Sequence, residues 1–164
     1  MTVAGLPVHP LVVHAVVMLI PLAAVGAVLV AIRPAWRRIY GIPTLVLAVA
    51  GLACVPIATA SGTALAADHG GHESAALELH MARADAVLPA TIVFAVLLAA
   101  AVLLGRRADR AAEPESSGST LVESRATSTR VALALCVLAA VAGLVATGLV
   151  ALTGHAGATA VWGS

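Results

Sequence analysis

The side chains of this chain best suited to chemistry are its six histidines. Imidazole titrates near neutrality and is the commonest protein ligand for transition metals and haem iron. His9 and His14 open the first apolar segment, His80 opens the third, and His155 follows the fourth in Thr153-Gly-His-Ala-Gly157. His69 and His72 lie in Asp68-His-Gly-Gly-His-Glu73. Two imidazoles at that spacing beside two carboxylates can hold a divalent metal, with nitrogen donors suiting copper, nickel or zinc; the plainer reading is a solvated glycine turn.

Local sequence orients the other four. Pro10 fits the first position of a helix, where its missing N–H is not needed, so His9 stands at the helix start and His14 about one turn inside. Their separation rotates the rings by roughly 140° at 3.6 residues per turn. They cannot ligate one ion side by side, but they can serve different positions around a larger cofactor. Ser74 is a plausible cap for a helix in which His80, Leu77, Ala84 and Val87 share one face, so His80 is expected to point into a bundle. Glycines beside His155 would let backbone approach a bulky ligand. His9, His14, His80 and His155 are therefore the expected inward-facing cofactor set. Histidines used only as glue between helices are the competing expectation.

The elements that carry these residues follow from hydropathy. Apolar residues make up 61% of the chain and charged ones 10%, a composition that a water-soluble surface could not tolerate. Four stretches reach the ~20 residues needed to cross a hydrocarbon core of roughly 30 Å, at about 10–32, 42–66, 75–105 and 131–153. The expected fold is all-α, a single integral membrane four-helix bundle over residues 1–164 with no separate soluble domain. Residues 108–129, with Glu113-Pro-Glu-Ser-Ser-Gly-Ser-Thr120, are too polar to offset their ordering entropy and are expected to form a flexible linker.

Arg33, Arg37 and Arg38 fall between the first two segments, and Arg106, Arg107, Arg110, Arg125 and Arg130 between the last two. Short basic loops stay in the cytoplasm. Both termini and all six histidines are then extracytoplasmic, in a multi-pass protein of a bacterial plasma membrane. No basic residue precedes the first segment, so it is expected to be retained as a span rather than cleaved as a signal peptide. A net charge of +1 points to no nucleic-acid partner. Cys54 and Cys136 fall mid-segment, where a thiol behaves as a small hydrophobe.

Small residues crowd the segments, and helices in lipid associate through close packing of such residues; Gly51, Gly143 and Gly148 mark the second and fourth as close neighbours of others. Pro21, Pro56 and Pro89 each free a carbonyl one turn earlier, making the histidine half the irregular half. An internal echo relates Ala58-Thr59, Ala64-Leu65 and His69-x-Gly71 to Ala146-Thr147, Ala151-Leu152 and His155-x-Gly157. As a duplication it would pair His14 with His80 and His69 with His155 about a pseudo-twofold along the membrane normal.

The string Gly5-Leu-Pro-Val-His9-Pro-Leu-Val-Val-His14 resembles the opening of the bacterial four-helix membrane family filed as domain of unknown function 2231. That family's His-Pro-x-x-x-His opening, a histidine at the start of helix 3 and a Gly-His-x-Gly element after helix 4 look like His9 with His14, His80, and Gly154-His155-x-Gly157 here. The resemblance covers most of the chain apart from the linker. The C-terminal element departs from the family's glycine and Leu-Val-Tyr-like tail, reading Ala158-Thr-Ala-Val-Trp162. Relatives that look fused or neighboured to iron-sulfur redox domains imply a redox role.

These observations favour a haem b or redox-metal protein that transfers electrons near the outer face, with His14 and His80 as the expected axial pair and a membrane redox complex or extracytoplasmic redox protein as partner. The alternatives are a non-catalytic accessory subunit of a larger membrane complex, and copper or zinc binding at His69 and His72. Hydrolysis is unsupported, since no serine or cysteine nucleophile lies in a recognisable motif with a histidine. Transport is disfavoured by the lack of charged residues near mid-membrane.

Overall fold

The computed structural model describes residues 2–3, 5–68, 75–111 and 119–162. Among them four helices carry the fold: α1 (Val8–Ile32), α2 (Arg37–Asp68), α3 (Ala75–Ala111) and α4 (Ser119–Trp162). All four are long and apolar enough to cross a membrane. Before α1, Thr2–Val3 (β1) pairs antiparallel with Leu6–Pro7 (β2) around Gly5, whose φ of 80° is left-handed backbone suited to glycine. A single 3-10 turn, Pro34–Trp36, joins α1 to α2.

The helices outrun the apolar stretches. α2 begins at Arg37 rather than near 42, α3 runs on to Ala111, α4 starts at Ser119 and continues to Trp162. Hydropathy marks where lipid lies, whereas alanine, arginine and glutamate are good helix formers on either side of it. The expected linker 108–129 is accordingly shortened from both sides; its middle, 112–118, lies outside the described residues. The helices also run through Pro21, Pro56 and Pro89 without a break.

α1 packs on α2 and α4, and α3 packs on the same two neighbours, so α1 and α3 face each other diagonally across the bundle. The core is built mostly from small residues. Ala23, Ala27, Ala48 and Ala139 gather around Phe94, which is fully buried, and a Cβ at Gly143 would come within 2.9 Å of its ring. Large aliphatic side chains such as Leu22, Val25, Leu144 and Val145 point outward. Small-in, large-out is the arrangement expected when the solvent is itself apolar and close packing drives association.

The two hairpins, α1–α2 and α3–α4, repeat one burial pattern. Val16, Ile20, Ala23, Ala24, Ala27 and Val30 are buried on α1, and Val87, Thr91, Phe94, Ala95, Leu98 and Ala101 are buried at the same steps along α3. On α2, Gly41, Thr44, Ala48, Gly51 and Val55 are buried; Cys136, Ala139, Gly143, Ala146 and Val150 match them step for step on α4. One shift thus carries α1 onto α3 and another carries α2 onto α4. The first brings His9, not His14, onto His80. The second brings Ala58 onto Thr153 and Gly62 onto Gly157. The register of the sequence echo is therefore corrected: alanine-threonine-leucine strings are so frequent here that they align in several wrong registers, whereas burial selects one.

Candidate functional site

His9 and His80 meet at the end of the bundle where α1 and α3 begin. Their positions follow from heptad spacing, which keeps side chains on one seam of a left-handed bundle. His9, Val16, Ala23 and Val30 form one such series on α1, and His80, Val87, Phe94 and Ala101 form its counterpart on α3. Because these helices are diagonal neighbours, the two seams confront each other across the bundle axis. The ring centres lie 6.4 Å apart with the planes at 87°.

Each imidazole is held by its own hairpin. His9 Nδ1 lies 2.8 Å from the carbonyl oxygen of Ala58, and His80 Nδ1 lies 2.8 Å from that of Thr153. A carbonyl oxygen can only accept, so in both rings Nδ1 carries the proton and Nε2 presents a lone pair when the ring is neutral. Among the described residues no group hydrogen-bonds either Nε2. Fixing a histidine through Nδ1–H to a backbone carbonyl is the usual way a protein orients an Nε2 ligand and raises its basicity.

Glycine makes this approach possible at two equivalent places. A Cβ at Gly62 would stand 2.8 Å from the His9 ring, and one at Gly157 would stand 2.9 Å from the His80 ring. Each glycine lies one helical turn beyond the carbonyl that its histidine uses, so the clasp is the same motif built twice. Details around it differ. Ser61 Oγ also donates to the Ala58 carbonyl at 3.1 Å. On the other side Thr153 Oγ1 is buried with no hydrogen-bond partner among the described residues, and Arg83, one turn after His80, donates to Leu152 O at 3.1 Å.

The remaining sequence candidates are elsewhere. His14 is exposed, and its Nδ1 donates at 2.6 Å to Pro10 O of its own helix. Of the two α1 histidines expected to face inward only His9 does so, because the seam through Val16 and Ala23 passes through His9 and not through His14. His155 is also exposed; the member of its motif that reaches the pair is Gly157, and the bulky group it admits is the His80 ring. His69 and His72, the candidate metal pair, lie outside the described residues. Among the described residues no third His, Cys, Asp or Glu joins the pair to form a metal-binding group.

Sequence alone does not mark Gly62, nor Ala58 and Thr153 as the carbonyl partners of the histidines. Their signal is positional: Gly62 and Gly157 continue the heptad series Gly41, Ala48, Val55 and Cys136, Gly143, Val150 of small or slender residues. Cys54 and Cys136 are free thiols, half-buried and buried.

Compared with known proteins, residues 5–164 match a family described as a predicted membrane protein, DUF2231. No curated protein and no solved structure matches the chain.

Proposed function

We propose that this chain, which belongs to the predicted membrane protein family DUF2231, carries electrons near the outer face of a bacterial plasma membrane on a haem b held between His9 and His80. The observation that carries this reading is the pair itself: two imidazoles from diagonal helices, each with Nδ1–H anchored to a carbonyl. Two imidazoles holding one metal ion between them through nitrogens at ~2.0 Å would have ring centres up to ~6 Å apart. The observed separation of 6.4 Å lies close to that limit. His9 and His80 would supply two nitrogen donors to a haem whose macrocycle supplies the rest, so the donor count also fits.

Haem bound there would supply a one-electron redox couple. The protein's own contributions are separate. The Ala58 and Thr153 carbonyls hold each ring in a ligating tautomer, and Gly62 and Gly157 let α2 and α4 back the rings closely. The positive-inside rule, applied to the arginines at the other end of the bundle, supports a histidine end that faces out, together with both termini. An electron acceptor or donor would then be an extracytoplasmic redox protein or a membrane complex.

A second reading has its own observation. Each histidine ties two helices together through a carbonyl, which an accessory subunit would use for stability alone. The visible spectrum of protein purified from haem-replete cells separates the two. The redox reading expects a Soret band that disappears in both His9→Ala and His80→Ala and persists in His14→Ala. Colourless, metal-free protein that melts lower in the two alanine variants would overturn it and leave the accessory role.

A further inference from the structure

The opposite end of the bundle carries a second, unrelated cluster. Arg37 is buried to 4% exposure; its Nη2 donates to Asp109 Oδ1 at 3.0 Å and to Gly105 O at 3.4 Å. Arg38 Nε stands 3.7 Å from Asp109 Oδ2, and Arg106 Nη1 donates to Arg38 O at 3.2 Å. Around these contacts Arg38, Arg106, Asp109 and Arg110 line an open concavity of about 170 Å³. The only carboxylate in that lining, Asp109, is shared by Arg37 and Arg38, so with Arg106 and Arg110 beside it the concavity carries a net excess of positive charge among the described residues.

Depth identifies the ligand class. Trp36 and Tyr40 flank Arg38 in sequence and meet edge to face with ring centres 6.0 Å apart, and Arg33 lies 5.4 Å from the Trp36 ring centre. Tryptophan and tyrosine concentrate at the headgroup level of a bilayer, and Ile39 beside them is exposed as lipid contact requires. An arginine concavity at that level meets phosphodiesters rather than bulk solvent. Guanidinium forks bind phosphate oxygens bidentately, and basic pockets between membrane helices hold anionic headgroups. We infer that Arg38, Arg106 and Arg110 form a binding site for the phosphodiester headgroup of an anionic phospholipid.

The test uses the full chain in micelles doped with equal amounts of phosphatidylglycerol and phosphatidylcholine, with bound lipid counted by native mass spectrometry. Wild type is expected to retain phosphatidylglycerol preferentially. Each of Arg38→Gln, Arg106→Gln and Arg110→Gln lowers that preference about fivefold, the effect of one basic residue near a charged surface, and the triple variant abolishes it. Arg107→Gln, outside the concavity, leaves it unchanged. A preference that survives the triple variant, or falls equally in Arg107→Gln, overturns the site. Inorganic phosphate displacing phosphatidylglycerol at equal concentration would show a free-anion site and overturn the lipid assignment. If the triple variant loses helicity, the exposed Arg110→Gln decides the matter alone.

Discussion

The bundle is closed at its two ends by different means. At the histidine end each hairpin makes its own clasp, imidazole to carbonyl, and the two clasps occupy equivalent positions. At the arginine end Asp109 of α3 pairs with Arg37 and, at 3.7 Å, with Arg38 of α2, and the position equivalent to Arg37 on α4 is Ala132, buried and apolar. A repeated clasp leaves two like groups facing each other over the axis, which is what a shared ligand needs. A charged cluster that exists once, with one carboxylate between two arginines, ties one hairpin to the other. On the proposed reading the first end would carry the cofactor, while the ion pairs of the second help to register the hairpins.

The largest effect that tests this contrast comes from Arg37→Ala. It leaves the Asp109 carboxylate without its main partner, and removing one member of a mostly buried pair costs about 3 kcal/mol, read as a lowered midpoint in detergent denaturation. The spectrum of the histidine end is expected to survive in the fraction that stays folded; its loss in still-helical protein would mean the ends are not separate. Next come Gly62→Ala and Gly157→Ala, each forcing a methyl against an imidazole for about 1–2 kcal/mol of overpacking. Equivalence of the clasps requires the two losses to match, and a large inequality would break the repeat. His9→Ala and His80→Ala without cofactor should each cost about 0.6–1 kcal/mol, the worth of one interhelical hydrogen bond. The smallest change belongs to His14→Ala, within about 0.5 kcal/mol of wild type, as expected of an exposed side chain bonded only within its helix.

Much of this architecture is legible in the sequence. Apolar runs locate four spans, and the shared face of Leu77, His80, Ala84 and Val87 correctly turns His80 toward α1. The rotation of α1 was not legible from polarity, because a helix apolar all round has no wet side to orient it. Residue size carries that information instead: Ala23, Ala24 and Ala27 face in, while Met18, Leu22 and Val25 face out. Read along heptads, that contrast leads back to His9. The helix ends escape hydropathy for the opposite reason, since polar helix formers such as Arg106 and Arg107 extend α3 beyond the lipid without altering its backbone.

The placement of the two clasps also bears on how the molecule is put together. His9 with Ala58 belongs wholly to the first hairpin, and His80 with Thr153 wholly to the second. Each half therefore holds the tautomer and orientation of its own imidazole through contacts within that half, and the packing of the halves brings the two rings together. A cofactor caught between them would act as a linchpin, its affinity inseparable from the association of the two hairpins. The same geometry needs no fusion at all: two copies of one hairpin, related by a true twofold in place of this approximate one, would present identical imidazoles across the axis.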